Sequence, residues 1–309
     1  MYFGLPDDAA ALKEGLREVL ETACTPATIR AAWDGDANEA LWKTLGEFGV
    51  IGLLAAEDQG GLGLDALAFV AAMEECGYAG VPGPLVETVV LAPALGLPVD
   101  GSARLAICDA RQPVVPYATT ATHLFDADEG SLVPDFTARP VETVDRSRHA
   151  ATVSGVASGT VVEVGTAYRL AQLGTAAFLV GLARRQVAIT VEYAKTRQQF
   201  GVAIGSYQAI KHPVADAVVA HEFAWPAVLA AAQALVEGAP DASRRVSMAK
   251  ALASDAAYTV SRVCLQAHGA MGYTVEYDLH LFMKRTWALA ADWGSASDHR
   301  KKIAKELLG

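Results

Sequence analysis

Two stretches of the chain combine residue types that could grip a phosphorylated ligand. The first is Arg197-Gln198-Gln199-Phe200-Gly201, followed by Tyr207-Gln208-Ala209-Ile210-Lys211-His212 and then Ala215-Asp216. Its arginine falls just past a long stretch of helical spacing, beside a glycine that lets backbone approach a ligand closely. A guanidinium so placed suits a two-pronged contact with a pyrophosphate. Phe200 adds an apolar face, while Gln199 and Gln208 add amides that both donate and accept hydrogen bonds. The second stretch is Gln266-Ala267-His268-Gly269-Ala270-Met271-Gly272-Tyr273-Thr274, ending in Glu276-Tyr277. Gln266 supplies a further amide, and Gly269 and Gly272 remove side chains where a bulky dinucleotide would come near. Taken singly, such an arginine is more readily a surface salt-bridge residue, and such glycines more readily just end a helix; the two motifs together reverse that preference.

These residues need rigid elements to hold them. Hydrophobic spacing predicts long helices over 168–195, 207–237 and 242–268, then a terminal pair over 279–291 and 297–308. Turn residues mark each junction: Gly201 and Gly205, Gly238-Ala239-Pro240, Gly269 to Gly272, and Gly294. Long helices with short turns suggest an antiparallel four-helix bundle. The first hundred residues also read as helical. Pro6-Asp7-Asp8 opens one helix, a second covers 39–48, and Asp65 caps a third over 66–76 after the Gly60-Gly61-Leu62-Gly63 loop. Between these regions, β-prone runs over 104–108, 114–117, 151–156 and 160–164 predict a small sheet of four to six strands. The expected fold class is mostly α with a small central β domain: a helical domain over 1–100, a reduced β domain over 101–165 and a helical bundle over 166–309.

Composition narrows the function classes. A chain of 309 residues, 52% hydrophobic and 19% charged, can bury a sizeable core and has no bias toward disorder. Its net charge of −10 opposes wholesale binding to nucleic acid or an anionic membrane. Cys24, Cys76, Cys108 and Cys264 are scattered without CxxC or zinc spacing, so they read as reduced structural thiols, and no metal site is expected. The first residues lack the basic and apolar regions of a secretory signal. The apolar stretch over 89–99 is broken by Pro93 and Pro98, and no apolar run reaches the ~18–20 residues of a membrane span. A cytoplasmic protein is the expectation.

In this order and at this separation, the two C-terminal motifs resemble the acyl-CoA dehydrogenase family. Glu57-Asp58-Gln59-Gly60-Gly61-Leu62-Gly63 resembles that family's first helical domain, so the resemblance covers nearly the whole chain. It implies an FAD-dependent oxidoreductase that desaturates an acyl-CoA thioester and passes electrons to an electron-transfer flavoprotein. It also implies that Arg197, Phe200, Gln266 and Gly269 hold the ADP half of an FAD whose flavin ring sits mainly on a neighbouring subunit. Gln199, Gln208, His268 and Gly272 belong to the same cofactor-binding motifs.

Two departures bear on function. Family members carry a Thr-Glu segment followed by glycine, alanine and serine, and a later Trp-Ile-Ser/Thr segment, both lining the flavin ring. Neither occurs between Gly101 and Gly165, and Thr119-Thr120-Ala121-Thr122 lacks that context. The reaction also needs a carboxylate at the substrate α-carbon, to take a proton as hydride passes to flavin N5. In the family's common pattern, that glutamate directly precedes a Gly-Thr/Ser pair. Counting from Gln266 places Trp293 there, before Gly294-Ser295, and an indole nitrogen only donates. The family's alternative position, near the start of the first bundle helix, falls on Ala171. Asp292 adjoins the expected place and is the one candidate catalytic residue, against its reading as a solvated or helix-ending aspartate. Glu192 and Glu276 read as structural or interface residues, and His212 and His299 as surface or interface histidines.

Three functions follow. The chain resembles the short subunit of α2β2 steroid-catabolic dehydrogenases of actinobacteria, which would clamp FAD for a full-length partner acting on a bulky steroid-derived acyl-CoA. It could instead be a self-sufficient homo-oligomer with Asp292 as base, or a non-enzymatic scaffold of the same fold.

Overall fold

The computed structural model describes residues 4–110, 112–155, 157–158 and 161–309. Helices come first: α1 (Asp7–Ala23), α2 (Pro26–Trp33), α3 (Glu39–Phe48), α4 (Ala66–Ala79) and α5 (Leu85–Leu91). Strands follow: β1 (Leu105–Cys108), β2 (His123–Asp126), β3 (Ser131–Val133), β4 (Phe136–Pro140) and β5 (Ala151–Gly155). The rest is helical apart from one small hairpin: α6 (Gly165–Thr196), β6 (Gln198–Gln199), β7 (Val202–Ala203), α7 (Gln208–Val236), α8 (Ala242–His268), α9 (Leu279–Ala291) and α10 (Ala296–Leu308). The fold is mostly α with a small β region, as the sequence predicts. These elements divide between two compact units. One comprises Met1–Arg17, Val70–Gly80 and Gln172–Gly309, the other Glu18–Phe69 and Val81–Ala171.

In the second of these units, local chemistry sets the helix starts. Thr25 and Thr28 form a capping box ahead of α2, with Pro26 in the first turn, where its missing N–H is no loss. Asp65 Oδ1 accepts from the amides of Leu67 (2.8 Å) and Ala68 (3.1 Å), the cap expected for α4. Strands β1 and β2 run parallel with Leu105 opposite His123, and β3 pairs antiparallel with β2. Strands β4 and β5 form a separate antiparallel pair with Phe136 opposite Gly155. Ala106, Val115, Ala118, Leu124, Val133 and Ala151 are buried together as their core.

Several boundaries differ from expectation for identifiable reasons. The 114–117 run forms no strand, only a bridge from Val115 to Ala151, because Pro113 and Pro116 have no N–H for a ladder. Residues 161–164 are not strand either, while Val156 and Thr160 lie outside the described residues. Strands β2, β3 and β4 are three to five residues long and interleave charged or turn residues, which hides their alternation. Helix α5 uses the apolar run ahead of Pro93, ending at Leu91.

The other unit is built on long helices with an ionic core. A Cβ on Gly77 would strike the Phe178 carbonyl, and one on Gly181 would strike the Glu74 carbonyl, so these glycines let α4 and α6 touch backbone to backbone. Beside that crossing, Glu74 and Glu75 are almost fully buried with three cations. Lys13 Nζ lies 2.5 Å from Glu74, Arg184 reaches both carboxylates at 2.8 Å, and Arg17 Nε meets Glu75 at 3.1 Å. Burial opposes charge on Glu75. The Arg17 hydrogen bond and the charges of Arg184, Arg17 and Lys13 outweigh it and hold its pKa below the ordinary carboxylate value.

Helix α7 corrects one expectation: its 18-residue stretch of mean hydropathy 1.3 is long and apolar enough to cross a membrane, and 33% of that stretch is buried within the chain. Much of its apolar surface, including Val219 and Phe223, faces outward.

Removing the Glu75 charge takes charge-assisted bonds from the partly exposed Arg17 and Arg184, so Glu75→Gln should cost about 2 kcal/mol at neutral pH in urea denaturation. A depressed carboxylate pKa stabilises the fold above the unfolded value and loses that contribution as pH falls through the folded one. The gap between wild type and Glu75→Gln should therefore close on acidification below the carboxylate range.

Candidate functional site

Both C-terminal motifs lie at helix ends, and one ring contact brings them together. Helix α6 closes with the Arg197 amide donating to Tyr193 O at 2.8 Å. The chain then makes a tight hairpin in which Gln198 pairs with Ala203 and Gln199 with Val202. The two turn residues, Phe200 and Gly201, have φ of 52° and 82°. Left-handed backbone at both positions is what a two-residue hairpin turn demands, and a phenylalanine there is unusual. Tyr207 Oη donates to Gln199 O at 3.2 Å and fastens the hairpin to the start of α7. Phe200 is thereby thrust into the open, 94% exposed. Arg197, Gln199 and Gln208 are exposed too, and no carboxylate among the described residues pairs with Arg197.

Helix α8 ends at His268, whose imidazole is stacked on Tyr193 with ring centres 4.3 Å apart. Tyr277 completes the cluster, 5.4 Å from Tyr193 and 4.9 Å from His268. His268 Nδ1 lies 2.8 Å from Cys264 O, burial holds its pKa below the ordinary histidine value, and its Nε2 is buried without a partner among the described residues. After it, Gly269 turns the chain with φ 57°, and a Cβ there would meet nothing within 4 Å. The other motif glycine differs. A Cβ on Gly272 would lie 2.9 Å from Leu265 Cδ1 and 3.1 Å from His268 Cβ, so the room at Gly272 is taken by the chain itself. Gln266, Tyr273 and Val275 are exposed.

This donor set fits an FAD nucleotide end: an uncompensated guanidinium, exposed amides, a projecting aromatic ring, an open glycine and an orphaned buried acceptor. Arg197 would take phosphate oxygens, the glutamines would take polar edges, and Phe200 would cover an apolar face.

At the expected place of the base there is a tightly held turn. Asp292 caps α9, Trp293 and Gly294 have φ of 59° and 99°, and Ser295 with Asp298 forms a capping box for α10. Lys250 Nζ, fully buried, donates to Ser254 Oγ (3.0 Å), Ala290 O (3.2 Å) and Gly294 O (3.1 Å). His299 Nε2 lies 3.0 Å from Trp293 O and donates to it. Burial pushes the Lys250 pKa down to about 8, with Asp292 partly offsetting the fall. Burial, helped by the charges of Lys250 and Lys302, pushes His299 down to about 4.

His299 is thus fully buried, not the surface or interface histidine expected, while His212 is exposed. Ala171 is buried in α6, and Glu192 pairs with Lys195 at 2.6 Å on the exposed side. No cluster of metal-ligating side chains occurs among the described residues, and none of the four cysteines forms a disulfide. Sequence reasoning missed Tyr193 and Lys250. Tyr193 stands one helical turn before Arg197, which was the available signal, whereas nothing in an Ala-rich helix marks a lysine as buried.

Residues 6–97 match the acyl-CoA dehydrogenase N-terminal domain and residues 165–308 match its C-terminal domain. Acyl-CoA dehydrogenase IpdE2 of Mycobacterium tuberculosis H37Rv is 32% identical over 320 residues, covering 98% of each chain. The chain belongs to the acyl-CoA dehydrogenase family. Members of this family are FAD-dependent oxidoreductases. Among solved structures, the ChsE4-ChsE5 complex from Mycobacterium tuberculosis matches with a TM-score of 0.86 at 22% identity, covering 100% of this chain and 99% of that one. A variant of the Tcur3481-Tcur3483 steroid acyl-CoA dehydrogenase matches with a TM-score of 0.84 at 24% identity, covering 98% of each. At those identities the structural likeness establishes the acyl-CoA dehydrogenase fold.

The depressed His299 pKa has a measurable consequence. The folded state resists protonating this ring, so its contribution is intact above the unfolded value of 6.5 and is lost as pH falls toward about 4. In urea denaturation across that window, wild type should lose about 3 kcal/mol more than His299→Gln, which has no proton to gain.

Proposed function

We propose that this acyl-CoA dehydrogenase is the accessory subunit of a two-chain enzyme. It grips the ADP half of an FAD, and a full-length partner of the same family supplies the flavin-ring pocket and the catalytic base. The observation that carries this reading is the contrast between two ends of the same helical unit. At the ends of α6 and α8 the grip residues point outward, with Arg197 unpaired and Phe200 projecting. At the α9–α10 turn the base position holds Trp293, locked by Lys250 and His299. Exposed grip residues suit a cofactor shared across an interface.

The chemistry is α,β-desaturation of an acyl-CoA thioester, for which bound FAD supplies the hydride acceptor. Within that division of labour, Arg197 neutralises pyrophosphate charge and Phe200 keeps water from the nucleotide. Gln199, Gln208 and Gln266 take hydrogen bonds that fix its orientation. The pairing in the ChsE4-ChsE5 complex and the steroid acyl-CoA dehydrogenase named for two chains support an α2β2 assembly acting on a bulky steroid-derived acyl-CoA. An electron-transfer flavoprotein is the acceptor in this reading.

A self-sufficient enzyme with Asp292 as base is less well supported. Asp292 caps α9 and its charge favours the buried Lys250 ammonium, a structural use for the carboxylate.

Arg197→Ala in the assembled complex should weaken FAD binding about 10- to 100-fold, as expected for a lost charge-assisted contact. Flavin fluorescence titration reads this, and unchanged retention of FAD would remove the grip from the account. Asp292→Asn should leave turnover unchanged; abolished turnover with FAD still bound would favour the self-sufficient enzyme.

A further inference from the structure

The geometry points to His268 as a hydrogen-bond acceptor for a neutral donor on the adenosine half of the bound dinucleotide, either the adenine amine or the ribose 2′-hydroxyl. This rests on the shared-cofactor reading and adds the polarity of one contact within it.

The case begins with the tautomer. His268 Nδ1 lies 2.8 Å from the Cys264 carbonyl, and a carbonyl can only accept, so Nδ1 carries the hydrogen. Burial disfavours the charged ring. Nε2 is therefore a bare lone pair. The residue is 3% exposed, and Nε2 has no hydrogen-bond partner among the described residues. Buried acceptors are nearly always satisfied, and an exception calls for a functional cause.

The surroundings supply nothing to satisfy it. Tyr193 covers the ring by stacking and Tyr277 tilts against it at 50°, so both neighbours offer ring surface. Yet the next residue is Gly269, where the space a side chain would occupy is open, and Arg197 begins one helical turn after Tyr193. The residue that carries the unfilled acceptor is thus tied to both motifs, through its stack on Tyr193 and its bond to Gly269. Phosphate oxygens only accept and could not satisfy Nε2, so pyrophosphate belongs to Arg197, and a hydroxyl or amine to His268. Nε2 is buried, so a donor reaches it only with a local shift of the residues around it, of which Tyr277 is half-exposed.

The test uses the assembled two-chain complex stripped of flavin and retitrated by fluorescence quenching. Three ligands are compared: FAD, its hypoxanthine analogue without the adenine amine, and its 2′-deoxyadenosine analogue. Wild type should bind one analogue about tenfold more weakly than FAD. In His268→Phe, which keeps the stacked ring and removes the acceptor, FAD should weaken to match that analogue and the discrimination should vanish. The weakened analogue tells amine from hydroxyl. Equal binding of all three ligands by wild type would overturn the inference without recourse to a variant. So would discrimination that survives in His268→Phe. If Arg197→Ala also leaves FAD affinity unchanged, the shared-cofactor reading falls and this inference with it; if Arg197→Ala weakens all three ligands alike, that reading stands whichever way His268 behaves.

Discussion

The stack of His268 on Tyr193 is the contact on which the candidate site depends. It joins the last turn of α6 to the last residue of α8, two points 75 residues apart in the chain, and so sets two otherwise separate motifs side by side. The imidazole is held from behind by its own helix through Cys264 O, so the ring cannot rotate away from the tyrosine without losing that bond. Once the two helix ends are fixed, local geometry does the rest. A left-handed turn at Phe200 and Gly201 projects the aromatic ring, and Gly269 leaves open the space its own side chain would fill. If these residues grip a nucleotide as proposed, building them on helix ends keeps the grip stiff and still open to a partner's surface.

The same principle operates at the α9–α10 turn, with the opposite functional result. Lys250 and His299 pin the carbonyls of Ala290, Gly294 and Trp293. A buried ammonium is costly to hold, which the fall in its pKa to about 8 registers, and it is placed where helix α9 ends and its dipole is negative. The chain thus keeps a rigid turn while presenting an indole and a capping aspartate at it. Rigidity at this turn secures the packing of α8, α9 and α10.

Much of this was legible in the sequence. Helices α3, α8 and α9 follow from spacing and turn residues with the same boundaries as the structure, because their apolar periodicity is long and their ends carry glycine or caps. Short β strands were harder: β2 and β3 owe their pairing to partners, and Val115 is confined to a single bridge by flanking prolines. Within the site, Arg197, Phe200 and Gly269 declared themselves by motif. The burial of His299 and Lys250 did not, since polar residues become buried only through tertiary partners that spacing alone does not reveal. Nor could the sequence separate Gly269 from Gly272, whose difference is one of neighbours: open space for the former, Leu265 and His268 for the latter.

The proposed division, a nucleotide grip on this chain and the base on its partner, makes flavin stoichiometry the most direct measurement. The chain should be purified alone, and together with a co-encoded full-length acyl-CoA dehydrogenase, and bound flavin counted against each polypeptide. The account predicts a colourless protein alone and one FAD per pair of unlike chains in the complex. Full flavin loading and turnover by the chain alone would contradict it.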